Sequence, residues 1–276
     1  MKKLFQSFSA EIVRLVSTRL LQLAAVTSVL ALIGLAQAST GVYVNQLVNL
    51  HETDPDIVGM FQSQIMRSGT GLVQLLFAVI GAAGYLQQKS TSALIYDLLG
   101  TPKRARLWLV KVASIFAISF LLALASNLVI ALMTHGALLS AKIPNSLFST
   151  AVLWQLGIGS LALSLAAIIG HGIAVVFGTW AKSLVALISL FVVVRALLVY
   201  ALVLGNTGLP VILYNASWYF PSVIEASTWY PASIHFPTSV NVGQHQLDSG
   251  AMFLSLVIWA ITLVIAPSIR FMRQKV

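Results

Sequence analysis

Arg195 is the residue whose position most demands a chemical role. It sits inside Leu190-Phe-Val-Val-Val-Arg-Ala-Leu-Leu-Val-Tyr, and a cation at the centre of an apolar helix costs about 2.5–3.5 kcal/mol to insert, so it seldom faces lipid. Two readings fit it: a place on a substrate path or subunit interface, or a structural arginine bonded to carbonyls within a bundle. His171, between Gly170 and Gly172, reads as a hydrogen-bonded packing residue. His51 with Glu52, Asp54 and Asp56, and His235 with His245, match no metal-ligand spacing and read as solvated loops. Gly159-Ser160 lies in the same stretch as His171, but there is no nucleophile-elbow pattern and no acid to orient a base. No G-x-x-x-x-G-K-[ST] run occurs, so no Walker A loop can hold ATP phosphates here, and with no cysteine there is no thiolate metal site or disulfide. No catalytic, cofactor-binding or metal-binding residue is assigned to this chain.

The segment from Gln87 to Lys111 is the most informative. Ser90, Thr91 or Ser92 can cap a helix by accepting from its free N–H groups. Leu94, Ile95, Leu98 and Leu99 form an apolar stripe, Gly100 is a stop, and Pro102 cannot continue the helix. The pattern predicts a short helix over Thr91–Leu99, flanked by Lys89 and by Lys103, Arg104, Arg106 and Lys111. So short a helix is not stable alone in water and must pack on something. The membrane surface and a groove on a partner protein remain equal alternatives on the residues alone.

The elements that hold this segment follow from composition. Of 276 residues 58% are hydrophobic and 8% charged, with a mean hydropathy of +0.93. A soluble domain carries about 25% charged residues, so the chain is read as membrane-embedded. Its apolar runs approach 20 residues, the length at which a helix crosses hydrocarbon, and lack the alternation of barrel strands. The fold class is all-α, with six spans expected at Leu20–Val42, Gly69–Leu86, Val112–Met133, Leu153–Phe177, Ser183–Leu204 and Ala251–Pro267. Gly81, Ala82, Ala83 and Gly84, and Gly157 with Gly159, are expected to permit close helix contact. The chain is expected to form one membrane domain: 1–19 an interfacial helix, 20–267 the six-span bundle, 268–276 a cytoplasmic tail.

Charge supplies the orientation. Thirteen of the 16 basic residues fall on one side: Lys2, Lys3, Arg14, Arg19, Lys89, Lys103, Arg104, Arg106, Lys111, Lys182, Arg270, Arg273 and Lys275. Glu52, Asp54, Asp56, Glu225 and Asp248, five of the seven acids, fall on the other. Positive residues mark the cytoplasmic side, so both termini are expected in the cytoplasm, in agreement with an even number of spans. The net charge of +9 is thus topology, aided by membrane lipids, and implies no nucleic acid. Leu4, Phe5, Phe8, Ile12, Leu15 and Val16 share a face and predict an amphipathic interfacial helix. The basic leader, the apolar run and Ala36-Gln37-Ala38 imitate a signal peptide; the leader is too long, and cleavage would break the parity. The outer segment from Gly205 to Gly250 carries Trp218, Tyr219, Phe220, Trp229, Tyr230 and Phe236. It reads either as short helices dipping into the outer leaflet or as a loop on the span tops.

The run Lys89-Ser-Thr-Ser-Ala-Leu-Ile-Tyr-Asp-Leu-Leu-Gly-Thr-Pro-Lys-Arg-Ala-Arg, ending at Lys111, resembles the ABC-2 type transporter permeases. In that family a short coupling helix after the second span is followed by a proline, basic residues and a lysine at the membrane edge. The likeness covers the chain in topology and about 25 residues in motif. The family often has acidic residues before this helix and Gly-Thr opening it, whereas Gln87, Gln88 and Ser90-Thr91 stand here. The resemblance implies a membrane-spanning subunit exporting an amphipathic or hydrophobic substrate (a peptide, drug or lipid-like molecule) across the cytoplasmic (inner) membrane. It implies a separate cytoplasmic ATPase subunit holding the ATP and magnesium, and a second permease subunit. On it Thr91, Leu94, Ile95, Tyr96, Asp97, Leu98, Leu99, Pro102, Lys103, Arg104 and Arg106 are the ATPase-coupling residues. A membrane scaffold supporting maturation of an extracytoplasmic protein is the rival reading.

Overall fold

The computed structural model describes residues 2–50, 54–68, 70–91, 93–100, 104–145, 147, 149–194 and 249–272. Arg195, Pro102, Lys103, His51 and nearly all of the 205–250 segment lie outside them, as does the second half of the fifth expected span. The described residues are almost all helical, joined by short turns, without a strand. α1 runs Lys2–Val16, α2 Arg19–Leu50, α3 Pro55–Arg67, α4 Thr70–Ser90, α5 Ala93–Gly100 and α6 Arg104–Ser140. α7 (Thr150–Trp154), a π-turn (Gln155–Gly159) and α8 (Ser160–Phe177) then form one run. α9 (Trp180–Ile188) ends in a second π-turn (Ser189–Val193), and α10 spans Ser249–Met272. Three runs, Arg19–Asn49, Arg104–Ser140 and Thr150–Phe177, are long and apolar enough to cross a membrane. Trp180–Val193 and Val257–Met272 are apolar but shorter.

The expected spans mark the apolar centres of helices that run further. α6, expected over Val112–Met133, has 37 residues, about 55 Å at 1.5 Å per residue, against about 30 Å of hydrocarbon. Its first turns therefore stand clear of any bilayer its centre crosses. α2 continues to Leu50 because Val44 and Leu47 pack with Val58 of α3, Leu138 of α6 and Ile143. α3 is an element the sequence reading did not separate: a 13-residue helix with Ile65 and Met66 fully buried.

α8 is the centre of the bundle, and 15 of its 18 residues are buried. It lies beside α4 in parallel register, with Ala78 meeting Gly170 and Lys89 meeting Gly178. A Cβ on Gly170 would stand 1.8 Å from the Ala78 carbonyl oxygen, and one on Gly81 1.8 Å from that of Ala167. The two backbones touch where no side chain fits, the close approach that small residues permit between helices in lipid. Gly84 meets only side-chain carbons, Ile115 Cδ1 at 3.2 Å among them, and Gly157 meets nothing within 4 Å. The contact expected at Gly157 is therefore corrected: it faces outward from the π-turn. On its other flank α8 receives α10. Pro267, which α10 carries internally, has no N–H for the Leu263 carbonyl. That same oxygen would stand 2.2 Å from a Cβ on Gly172. α10 runs on to Met272, past the end of the sixth expected span.

Overpacking costs about 1–3 kcal/mol when neighbours must shift. Gly170→Ala, which drives a methyl into backbone, is expected to destabilise the protein by that much or more in lipid-micelle unfolding. Gly136→Ala, with open space around it, should be neutral or stabilising by up to about 1 kcal/mol.

Candidate functional site: a charge cluster beneath a short helix

α5 sits at the end of the bundle where α1 and α6 begin and where α4, α8 and α10 finish. Arg104 donates to the Met272 carbonyl at 2.9 Å and Lys89 to the Gly178 carbonyl at 2.8 Å. Arg270 also donates, to the Val176 carbonyl. Lys89 and Arg270 thus converge on the C-terminus of α8, where unpaired carbonyls and the helix dipole attract cations. Gly178, at φ +68°, supplies the left-handed residue that closes this helix.

Of the three hydroxyls expected to cap α5, Ser92 lies outside the described residues and the other two belong to the preceding helix. Ser90 Oγ and Thr91 Oγ1 each donate back to the Gln87 carbonyl, at 2.9 Å. They finish α4 rather than open the next helix, so Thr91 stands outside α5, which occupies Ala93–Gly100. The apolar stripe is also divided. Leu94 is buried in the main core, whereas its neighbour Ile95 is 46% exposed. Tyr96, Leu98 and Leu99 lie within the helix.

Asp97, one turn beyond Leu94 on the same face, anchors α5 to the bundle. Its Oδ2 accepts from Arg14 on α1 at 2.6 Å and from Lys111 on α6 at 2.9 Å. Lys111 is 1% exposed at its side chain. Its Nζ also donates to Gln88 Oε1 and lies 3.4 Å from Glu11 Oε1. Gln88 Nε2 donates to that same Glu11 oxygen at 2.8 Å, and Arg14 pairs with Glu11's other oxygen. Two cations, two carboxylates and one carboxamide therefore close a ring across α1, α4, α5 and α6. The formal charge sums to zero, the condition for burying ions without a stranded charge.

Electrostatics reinforces this ring outside the spans. Burial pushes the Asp97 carboxyl up, but the Lys111 ammonium, then Arg14, more than offset it and hold it below the usual carboxylate range. Burial likewise works against the Arg14 guanidinium, which Glu11 and Asp97 nonetheless raise above its ordinary value. α1 reaches the ring because its inward face carries Glu11 and Leu15, both buried, while Val13 and Val16 are exposed. Of the expected apolar face, Leu15 is buried and Phe8 and Ile12 are part-buried, whereas Val16 is exposed and Glu11 joins the inward side.

Glu11 and Gln88 were not singled out from the sequence, yet a signal was present. Glu11 and Asp97 are the two acids left among the basic residues once the other five are assigned opposite, and both converge on Lys111. Of the expected coupling residues, the ring includes Asp97 alone; Arg104 bonds to α10, and Arg106 is half-buried on α6. His171 has the packing role expected of it. It is buried, its Nδ1 donates to the Gly81 carbonyl at 3.3 Å, and it is stacked on Trp108 with ring centroids 5.2 Å apart. Tyr85 meets it edge-on at 5.8 Å, and Trp108 also packs on Phe271. Among the described residues no group of three or more metal-ligating side chains is gathered. No protein-family model matches the chain, and no curated protein matches it.

Breaking a buried ion pair from one side costs about 3–5 kcal/mol. Lys111→Met is expected to cost that much in unfolding experiments. The double variant Glu11→Gln, Lys111→Met should recover most of the loss, because the charge balance is restored. pH gives a second check. Asp97 has a lowered folded pKa, so its contribution is complete above the ordinary carboxylate pKa of about 3.9. It disappears as pH falls through the lower folded value. Protection from hydrogen exchange over residues 93–100, taken against the intrinsic rate at each pH, should hold from neutral pH down to about 4 and fall below it, and Asp97→Asn should remove the transition.

Proposed function

We propose that this chain is the membrane-spanning permease subunit of an ATP-driven exporter of the ABC-2 type. On this reading α5 is the helix gripped by a separate ATPase subunit that carries ATP and magnesium. The observation that carries the reading is the two-sidedness of α5: Leu94 and Asp97 fix one face to the bundle, and Ile95 on another is left open. A short helix held this way is a handle. Displacing it moves Asp97, and with it Arg14 on α1 and Lys111 on α6. Two nucleotide-binding subunits closing on ATP would draw together the handles of two permeases and tilt their helices as rigid bodies.

Several sequence features support the same reading. The basic residues gather at the α5 end, which would face the cytoplasm with both termini, and the chain has no ATP-binding loop of its own. The reading calls for six spans, among them the one expected over Ser183–Leu204. The cargo would be amphipathic or hydrophobic, as the resemblance to that family implies.

The test is co-expression with a candidate ATPase subunit, reading both complex formation and cargo-stimulated ATP turnover. Ile95→Asp is expected to abolish co-purification. Asp97→Asn should leave the complex intact and reduce cargo stimulation by about 2- to 30-fold, the range that coupling residues span. An Ile95→Asp complex that forms and turns over like the wild type would sink the proposal.

A further inference from the structure

The half of the bundle remote from α5 contains three fully buried carboxamides: Gln62 on α3, Asn127 on α6 and Gln155 in the first π-turn. These three elements pack pairwise on one another. Gln62 Nε2 donates to the Ala131 carbonyl at 3.3 Å, one turn beyond Asn127. Asn127 Nδ2 donates to Ser160 Oγ at 3.1 Å, and Ser160 directly follows the π-turn that carries Gln155. The three amides therefore lie on adjoining elements, about a helical turn apart along the bundle.

Their hydrogen-bonding capacity is largely unused. Gln62 Oε1, Asn127 Oδ1 and both amide atoms of Gln155 have no partner. Buried polar groups are ordinarily paired, and an apolar interior penalises those that are not. Gln155 is also held by a π-turn, a distortion found mostly where a helix serves a site. The unused set is three acceptors and one NH2 donor, none of them ionisable. Its complement is a neutral group that offers N–H donors and also a carbonyl. A bare cation or anion would find no counter-charge in these contacts.

We propose that Gln62, Asn127 and Gln155 form a binding subsite for the neutral amide groups of a peptide-like cargo. That the guest is cargo rests on the permease reading; the binding itself needs no ATPase. Water shares the hydrogen-bonding chemistry, so the experiment separates the two. The purified full-length protein in lipid nanodiscs is titrated with a fluorophore-labelled N-acetyl-trileucine amide, and with the same peptide N-methylated at every amide. Saturable binding is expected, weakened about tenfold by N-methylation, the loss of roughly one buried hydrogen bond. Gln155→Leu should weaken it about as much without lowering the melting temperature, because both amide atoms it removes are unpaired and leucine has a similar volume. Equal affinity for the two peptides overturns the proposal, and the comparison needs no variant to fold. So does an absence of peptide binding, and radiolytic labelling at Gln155 would then assign the amides to bound water. In that case the coupling role of α5, read through ATP turnover, still stands or falls by itself.

Discussion

A lysine ammonium with almost no access to solvent has to be surrounded by its own counter-charges, and Lys111 governs much of this structure for that reason. Neither α1 nor α5 is long enough to be held by its own hydrogen bonds. What fixes both is that Glu11 and Asp97 belong to the same cation, with Gln88 and Arg14 completing the set. The positions of the first helix, of the short helix and of the start of α6 are therefore one problem with one solution. Remove the cation and two carboxylates at the bundle's edge lose the reason to approach each other.

Beyond that ring the bundle is organised by contact rather than charge. α8 touches α4 backbone to backbone at Gly81 and Gly170, and meets α10 where Pro267 leaves the Leu263 carbonyl unbonded. In apolar surroundings dispersion and close fit drive helix association, because burying oil in oil gains little. The aromatic column of Tyr85, His171, Trp108 and Phe271 fills the space between this backbone contact and the charged ring.

The large features of the fold were legible because they are written in composition and period. Apolar runs located the helix centres, and the Gly81 region pointed to close packing. The short helix after α4 was visible from its stripe and its glycine. Helix ends were not legible: nothing local tells α6 to start at Arg104 and continue to Ser140, since those turns are stabilised by partners distant in sequence. The sequence could not choose among Ser90, Thr91 and Ser92 as the cap, because a hydroxyl that can accept from a following helix can equally donate to the carbonyl four residues before it, as Thr91 does. Glu11 escaped notice because a lone acid on an amphipathic helix looks solvated until its partner, about 100 positions away, is brought beside it. Gln62, Asn127 and Gln155 carry no motif at all, and only folding brings the three elements that bear them together.

The intimacy of α4 and α8 has a mechanical consequence. A slip of one residue along their shared axis, about 1.5 Å, would press carbonyls and Cβ atoms into space that now admits only a glycine hydrogen. Sliding is thereby forbidden, and the two helices must rock or translate as a single double-thickness stave. Whatever seam the protein parts along, it is not the one between these two.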